Sequence, residues 1–300
     1  MRPPAVARNL AKNASAAVGL RRLLRSGAYG MDGDLAAVLD VLERLAPSLS
    51  DLGVRAEGLR VLELGPGRTP ELLGALILAG AASGRGLDTR LQLTGRARES
   101  GHYEPLAAAL AEGRAGAFLT AVGATPESVR ERMRVLRPAA WPVEFARTPG
   151  RSIPAADASV DLLLSKSVLE HVSEPAVPAL LDETYRVLRP GGGAVHMIDL
   201  RDHQWIDGDE RVTGDWLEAL TYSPLAYRLQ FSHRSTYINR LREPAWRAGF
   251  ERAGFDVAGW RETRFPLATG FDRGRLRAPW RELPDDTLAI GFLSVAVRRP

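Results

Sequence analysis

Residues 59–69 read LRVLELGPGRT, and this stretch decides the fold. Arg60-Val61-Leu62-Glu63-Leu64 is a short apolar run with a β-branched residue, suited to a buried strand. Gly65-Pro66-Gly67 then forces a turn. Pro70 to Ala79 follows as a helix with Pro and Glu in its first turn, where both are favoured. Strand, glycine turn and helix make the first half of a nucleotide-binding βα unit. Without a Cβ, a glycine lets backbone approach a ligand closely. Glu63, near the carboxyl end of the strand, can accept two hydroxyl hydrogen bonds.

The turn narrows the ligand class. A phosphate-cradling loop of the form G-x-x-x-x-G-K-[ST] needs a lysine that is missing here. A dinucleotide fingerprint G-x-G-x-x-G would need glycine where Pro70 stands. The remaining ligand is a nucleoside without phosphates, and the alternative is a purely structural strand-turn-helix. The stretch resembles motif I of the class I S-adenosylmethionine-dependent methyltransferases, an acid followed by L-G-x-G. Thr69 stands where that family often has a third glycine. The resemblance implies S-adenosylmethionine as cofactor, held by Glu63, Leu64, Gly65, Pro66 and Gly67.

Ser152 to Leu200 strengthens the resemblance. Val160 to Ser165 reads as a buried strand, Pro175 to Leu188 as a helix stopped by Arg189-Pro190-Gly191-Gly192, and Gly193 to Ile198 as the next strand. Ile153-Pro154, Asp157, Asp161, Ser165, Leu169-Glu170-His171-Val172 and Arg186-Val187-Leu188-Arg189-Pro190-Gly191-Gly192 match the methyltransferase block in order and spacing. The resemblance covers roughly residues 55 to 298. It implies a doubly wound Rossmann-like α/β sheet of seven strands in the order 3-2-1-4-5-7-6, with helical insertions. One position departs: the family often has an acid twelve residues before Asp161, at the adenine, and this chain has Pro149. Backbone groups at Gly150 remain to bind there. Asp88 ends a short second strand, Gly86-Leu87-Asp88, about 20 residues beyond the glycine turn, where an acid suits the ribose hydroxyls; a helix cap or loop acid is the plainer reading. Ser165 and Lys166 complete the cofactor set that the resemblance implies.

Composition bounds the rest. The 300 residues are 45% hydrophobic and 25% charged, ordinary for a globular protein, and fit one domain with insertions. No apolar run reaches the roughly 18 residues that span a bilayer. With no cysteine there is no disulfide, thiolate metal site or thiol nucleophile, and a cytoplasmic location fits. A net charge of +4, mixed with acids, does not argue for nucleic acid. Lys occurs only at Lys12 and Lys166, a matter of base composition before function.

We expect an N-terminal basic arm and helix over 1–54 and a methyltransferase domain over 55–300, with insertions at about 89–140 and 204–240. The arm, Met1 to Gly30, holds six basic residues and no acid. It lacks the continuous apolar core of a secretory signal. A frayed arm or a helix packed over the domain is the simplest reading; a transit peptide and a weak contact with a membrane surface or partner also fit its composition. Asp32 to Asp51 is a helix, ended by Pro47, and Tyr29 to Leu35 would cover the cofactor. Helical patterns recur near Tyr103 to Glu112 and Pro126 to Leu136, and Trp141 to Ala146 reads as the third strand. The second insertion is aromatic-rich, with Trp205, Trp216, Tyr222, Tyr227, Phe231 and Tyr237 mostly forming core beneath a cap. Tyr237 to Arg242 is polar enough to line the site or tie the cap to the sheet. Glu243 to Ala253 is a helix, and Asp256 to Trp260 and Thr287 to Val297 are the last strands.

Methyl transfer from a sulfonium needs alignment and, for a hydroxyl acceptor, removal of a proton. Open α/β sheets bind ligands at the carboxyl ends of their strands. His171 follows the fourth strand; Asp199, Asp202 and His203 follow the fifth. We expect His203 as the base, oriented by Asp199 or Asp202, with His171 as the rival assignment. A structural His171, and a solvated loop with an Asp–Arg201 ion pair, are the plainer readings. The Asp/His composition admits a metal, but the spacing is not diagnostic and no ligand is assigned. The expected function is O-methylation of a small molecule or glycan. The alternatives are a non-catalytic module binding S-adenosylmethionine or S-adenosylhomocysteine, and another nucleoside-dependent transferase. Nothing in the sequence sets an oligomeric state.

Overall fold

The computed structural model describes residues 35–67, 70–89, 103–136, 141–203, 215–231 and 237–300. The expected N-terminal arm, the Tyr29 to Asp34 cover, Thr69 and Trp205 lie outside these residues. The described chain runs α1 (Leu35–Asp51), β1 (Arg60–Leu64), α2 (Glu71–Ala79), β2 (Ser83–Asp88), α3 (Glu104–Ala111), α4 (Gly116–Ala121), α5 (Pro126–Val135), β3 (Val143–Arg147), β4 (Val160–Lys166), α6 (Val177–Val187), β5 (Leu188–Asp199), α7 (Pro224–Phe231), α8 (Glu243–Arg252), β6 (Asp256–Arg264), α9 (Asp285–Leu288) and β7 (Ile290–Arg298).

One seven-stranded sheet has the order β3-β2-β1-β4-β5-β7-β6, as the resemblance implied. The first five are mutually parallel, and β7 is antiparallel to both β5 and β6. Strand direction from the switch between β1 and β4 gathers Leu64, Asp88, Lys166 and Asp199 at strand carboxyl ends. Alternating side chains build both faces. Val61, Leu162, Leu164, Val195 and Met197 pack with α1, α2 and the helical insertion. Leu62, Leu64, Leu163, Ala194 and Ile198 pack with α6 and α8 on the other side. Period-two alternation feeding two helix layers is what a doubly wound sheet requires.

Several boundaries differ from the sequence reading. Pro47 does not end α1, which continues to Asp51. The proline removes one helical hydrogen bond, but its neighbours Ala46, Ser48 and Leu49 are buried, and the Ser48 hydroxyl bonds that of Ser294 on β7 at 2.9 Å. This helix, grouped in the sequence with the arm, therefore packs into the same core as the sheet. Arg189 to Gly192 is not a loop: β5 starts at Leu188, directly after α6. The Gly191 amide donates to Arg299 O (2.7 Å) and Arg299 N to Gly192 O (2.9 Å), so the chain's C-terminal end captures the Pro-Gly-Gly run as strand. Similarly, β2 begins at Ser83, three residues before the expected start at Gly86, because its glycines fit beneath Phe145 and Leu73. The last strand begins three residues late, after the short turn of α9.

The first insertion is helical, with α4 between the two expected helices. In the second, Trp216, Tyr227 and Phe231 are buried, so these aromatics are core beneath a cap. No described helix is long and apolar enough to cross a membrane.

Candidate active site

Two groups of side chains meet at the carboxyl edge of the sheet. The first is built by the β1–α2 turn. Gly65 and Gly67 both have positive φ, +65° and +70°. A Cβ on Gly65 would lie 2.4 Å from Val168 Cγ2, whereas one on Gly67 would meet nothing within 4 Å. The first glycine lets the turn dock under the β4 segment; the second faces open space. Glu63 is buried, and its Oε2 has no hydrogen bond. Burial, reinforced by the neighbouring Glu71, pushes its carboxyl up to about 8. A buried carboxyl left unsatisfied costs on the order of 1–3 kcal/mol, so this turn suits a ligand bearing hydroxyl or ammonium donors. S-adenosylmethionine fits that description. Pro66 is buried against the β2 side of the turn, and Leu64 is core. Asp88 and Gly150 come together at the ends of β2 and β3, joined by the Thr148 amide to Asp88 O at 3.0 Å. Gly150 has φ +78°.

Ser165 and Lys166, both expected at the cofactor, lie together at the end of β4. The Ser165 hydroxyl bonds His196 Nδ1 at 2.8 Å inside the sheet, leaving only its backbone for a cofactor. Alternation explains this: Ser165 points into the core while Lys166 emerges at the strand end.

The second group follows β4 and β5. A single 3₁₀ turn, Leu169–His171, carries Glu170 and His171. Glu170 is 1% exposed, and neither carboxylate oxygen has a hydrogen bond. Burial and the nearby Asp199 push its carboxyl well above the usual range, opposed in part by the neighbouring backbone amides of Glu170 and Asp199 and by Lys166. The His171 ring lies 5.0 Å from that of His203, edge to face. The two rival base assignments are therefore one site. His203 Nε2 lies 3.7 Å from Asp199 Oδ2. Burial lowers the His203 imidazole to about 4 despite Asp199. Asp199 is also gripped by Arg201, whose Nε and Nη2 donate at 2.9 and 2.8 Å. The ion pair and the histidine contact thus coexist. Asp202 is fully buried, and its charge acts on the Tyr222 and Tyr227 hydroxyls of the cap. Asp199 is the carboxylate placed beside His203.

The segment after the cap ties this group down. His171 Nδ1 donates to Tyr237 O at 2.8 Å. The Asn239 side-chain amide donates to Leu169 O (2.7 Å) and Val172 O (3.0 Å), and Asn239 N to Glu170 O. Arg240 N donates to Glu174 Oε1 at 3.0 Å. Sequence reading had not assigned Glu170 to a site, and it named Tyr237 to Arg242 only as a stretch that lines the site or ties the cap to the sheet. The signal for Glu170 was its place within the LEHV run; the others lie far away in sequence.

Other residues of the block hold the scaffold. Arg186 donates to the carbonyls of Ile153 and Ala155 and pairs with Glu183 and Asp157. Asp161 accepts from Arg60 on β1 and Arg189 on β5.

Residues 100–195 match the family model described as a methyltransferase domain. Over that stretch, which holds β3, β4, α6 and part of β5, the chain is similar to methyltransferases. An uncharacterized methyltransferase of Mycolicibacterium gilvum is 40% identical over 136 residues, 45% of this chain and 49% of that protein. One from Mycolicibacterium vanbaalenii is 53% identical over 51 residues, covering 17% and 19% of the two chains. The matched stretch thus spans about half the length of the first relative and about a fifth of the second. Among solved structures, a sarcosine dimethylglycine methyltransferase from Galdieria sulphuraria overlays with a TM-score of 0.49 at 14% identity, covering 96% and 97% of the two chains. The methyltransferase class takes S-adenosylmethionine as methyl donor, and the glycine turn and Glu63 are the residues that would hold it.

Proposed function

We propose that this protein is a cytoplasmic enzyme that methylates a hydroxyl oxygen of a small molecule or glycan. The observation that supports it is the position of Lys166, whose charge acts on Glu63 of the glycine turn and on Glu170 of the histidine cluster. One strand end therefore joins a nucleoside-binding turn to a buried set of proton-handling groups.

S-adenosylmethionine, when bound, supplies an electrophilic methyl group. The protein's own part is binding, alignment and handling of the acceptor's proton. Gly67 leaves room at the turn, and Glu63 accepts hydrogen bonds from the ligand. Asp88 and the Gly150 backbone serve the nucleoside side. A hydroxyl has a pKa far above neutral and attacks slowly unless its proton leaves during the reaction. The His171–His203–Glu170 cluster, backed by Asp199, stands where that proton must go. A thiolate acceptor would need no such group, which is why the cluster favours an oxygen acceptor.

The test uses the full chain, methyl-labelled S-adenosylmethionine and a metabolite extract. Label should pass into small, extractable products and remain there after protein is removed. Persistent cofactor binding with no labelled product would support the non-catalytic module instead.

A further inference from the structure

We propose that Glu170, His171 and His203 form a binding site for one divalent first-row transition-metal ion. Each residue offers one ligand atom, and the three atoms lie within 4.8 Å of one another. Ligands around such an ion stand at about 2.0–2.2 Å from it. Small side-chain rotations about a bound ion would therefore close the set.

Three independent features point to a ligand there. First, Glu170 is buried with no hydrogen bond to either carboxylate oxygen. Such a group demands a partner, and a cation satisfies both its charge and its lone pairs. Second, the tautomer of His171 is set for ligation. A carbonyl only accepts, so His171 Nδ1 carries the proton given to Tyr237 O, and Nε2 carries the lone pair. A histidine that donates its other nitrogen to a backbone carbonyl is the usual arrangement at metals, where the second bond fixes ring and tautomer. Third, the outer shell is already rigid. Asn239 clamps the 3₁₀ turn through three hydrogen bonds, and Asp199 stands 3.7 Å from His203 Nε2 while held by Arg201.

Two imidazoles and one carboxylate form a donor set suited to zinc, iron, cobalt or manganese rather than to magnesium or calcium, which prefer all-oxygen shells. Three protein ligands leave coordination positions open. The consequence rests on the methyltransferase reading and changes the cluster's part in it: with an ion bound, Glu170, His171 and His203 serve as its ligands in place of the base, and the ion would lower the acceptor hydroxyl's pKa toward neutral so that its proton leaves to solvent.

The site is tested on the full-length protein after dialysis against a chelator. Titration with Co²⁺ should show one equivalent bound, with visible ligand-field bands, displaced by Zn²⁺. Glu170→Gln, His171→Gln and His203→Asn should each weaken Co²⁺ binding about 100-fold or more, since even outer-shell changes cost 10–100-fold. Circular dichroism checks that each variant folds. X-ray absorption of the wild-type cobalt protein should show two imidazoles in the shell, a reading that needs no variant. Absence of Co²⁺ binding by the wild type, a shell without imidazole, or equal binding by folded variants would overturn the proposal. Calorimetry of S-adenosylhomocysteine with the stripped protein separates the two readings. If the nucleoside binds and cobalt does not, only the metal site fails; if cobalt binds and the nucleoside does not, the methyltransferase reading fails.

Discussion

Glu63 and Glu170 are both buried carboxyl groups at the carboxyl edge of the sheet, and burial raises the pKa of both. They belong to sites built in opposite ways. Glu63 sits in a contiguous run, Glu63 to Gly67, at the end of β1 and in the turn that follows it. Glu170 sits in a site assembled from three segments, 169–171, 199–203 and 237–239, that only the fold brings together. In the function we propose, the first would bind the nucleoside through backbone shape, and the second would do the chemistry through side chains held by a distant loop. Substitutions in the first should therefore be read in affinity, and those in the second in rate.

The largest separation should come from His203→Ala, assayed once an acceptor is found. It should keep S-adenosylhomocysteine affinity and lower kcat at least about 100-fold, roughly 2.7 kcal/mol of barrier. Because His171 adjoins it, His171→Ala should lower kcat comparably. A normal rate in either variant would break the single-site account.

Glu63 sharpens the other side. Its raised pKa favours the protonated, folded protein below the unfolded value of about 4.3, and that contribution is lost as pH rises toward 8. Ligand donors favour the carboxylate, so binding at neutral pH should release a proton. Affinity should rise between about pH 6 and 8, and Glu63→Gln should abolish that slope and weaken binding about tenfold. Calorimetry in buffers of different ionisation enthalpy reads the proton directly. A flat profile would mean that Glu63 does not face the ligand.

The smallest effect concerns a residue of the signature that belongs to neither site. Burial alone would raise Asp161, but hydrogen bonds from Arg60 and Arg189 outweigh it and hold it near 2. Its stabilising contribution is present above the unfolded value of about 3.9 and lost as pH falls toward 2. Asp161→Asn should cost about 1–3 kcal/mol of stability at neutral pH, less in acid, and leave cofactor affinity unchanged. Thermal melts against pH check it.

These three residues show what the sequence carried. The LELGPG run specified strand, turn and ligand class, because its glycines and acid are adjacent. The block around Asp161 and Arg186 specified the sheet, because those side chains tie neighbouring strands and loops whose order the fold family shares. The Pro-Gly-Gly run does follow the end of α6, but its place in β5 was not legible, since the pairing with Arg299 far along the chain is invisible locally. That the Ser165 hydroxyl turns inward to His196 was not legible either, because the partner lies on the neighbouring strand. The polarity of Tyr237 to Arg242 marked it as a stretch that lines the site or ties the cap down, but the turn it clamps lies 66 or more residues away, so its partners were not legible locally.

Titration of the full-length protein with S-adenosylhomocysteine, beside NAD, tests the central claim most directly. The nucleoside should bind saturably at one site, NAD should not bind comparably, and Gly67→Val should abolish binding, because a branched side chain at φ +70° would be strained and fill the open face of the turn. Binding of NAD with failure of S-adenosylhomocysteine, or full affinity in Gly67→Val, would contradict the account.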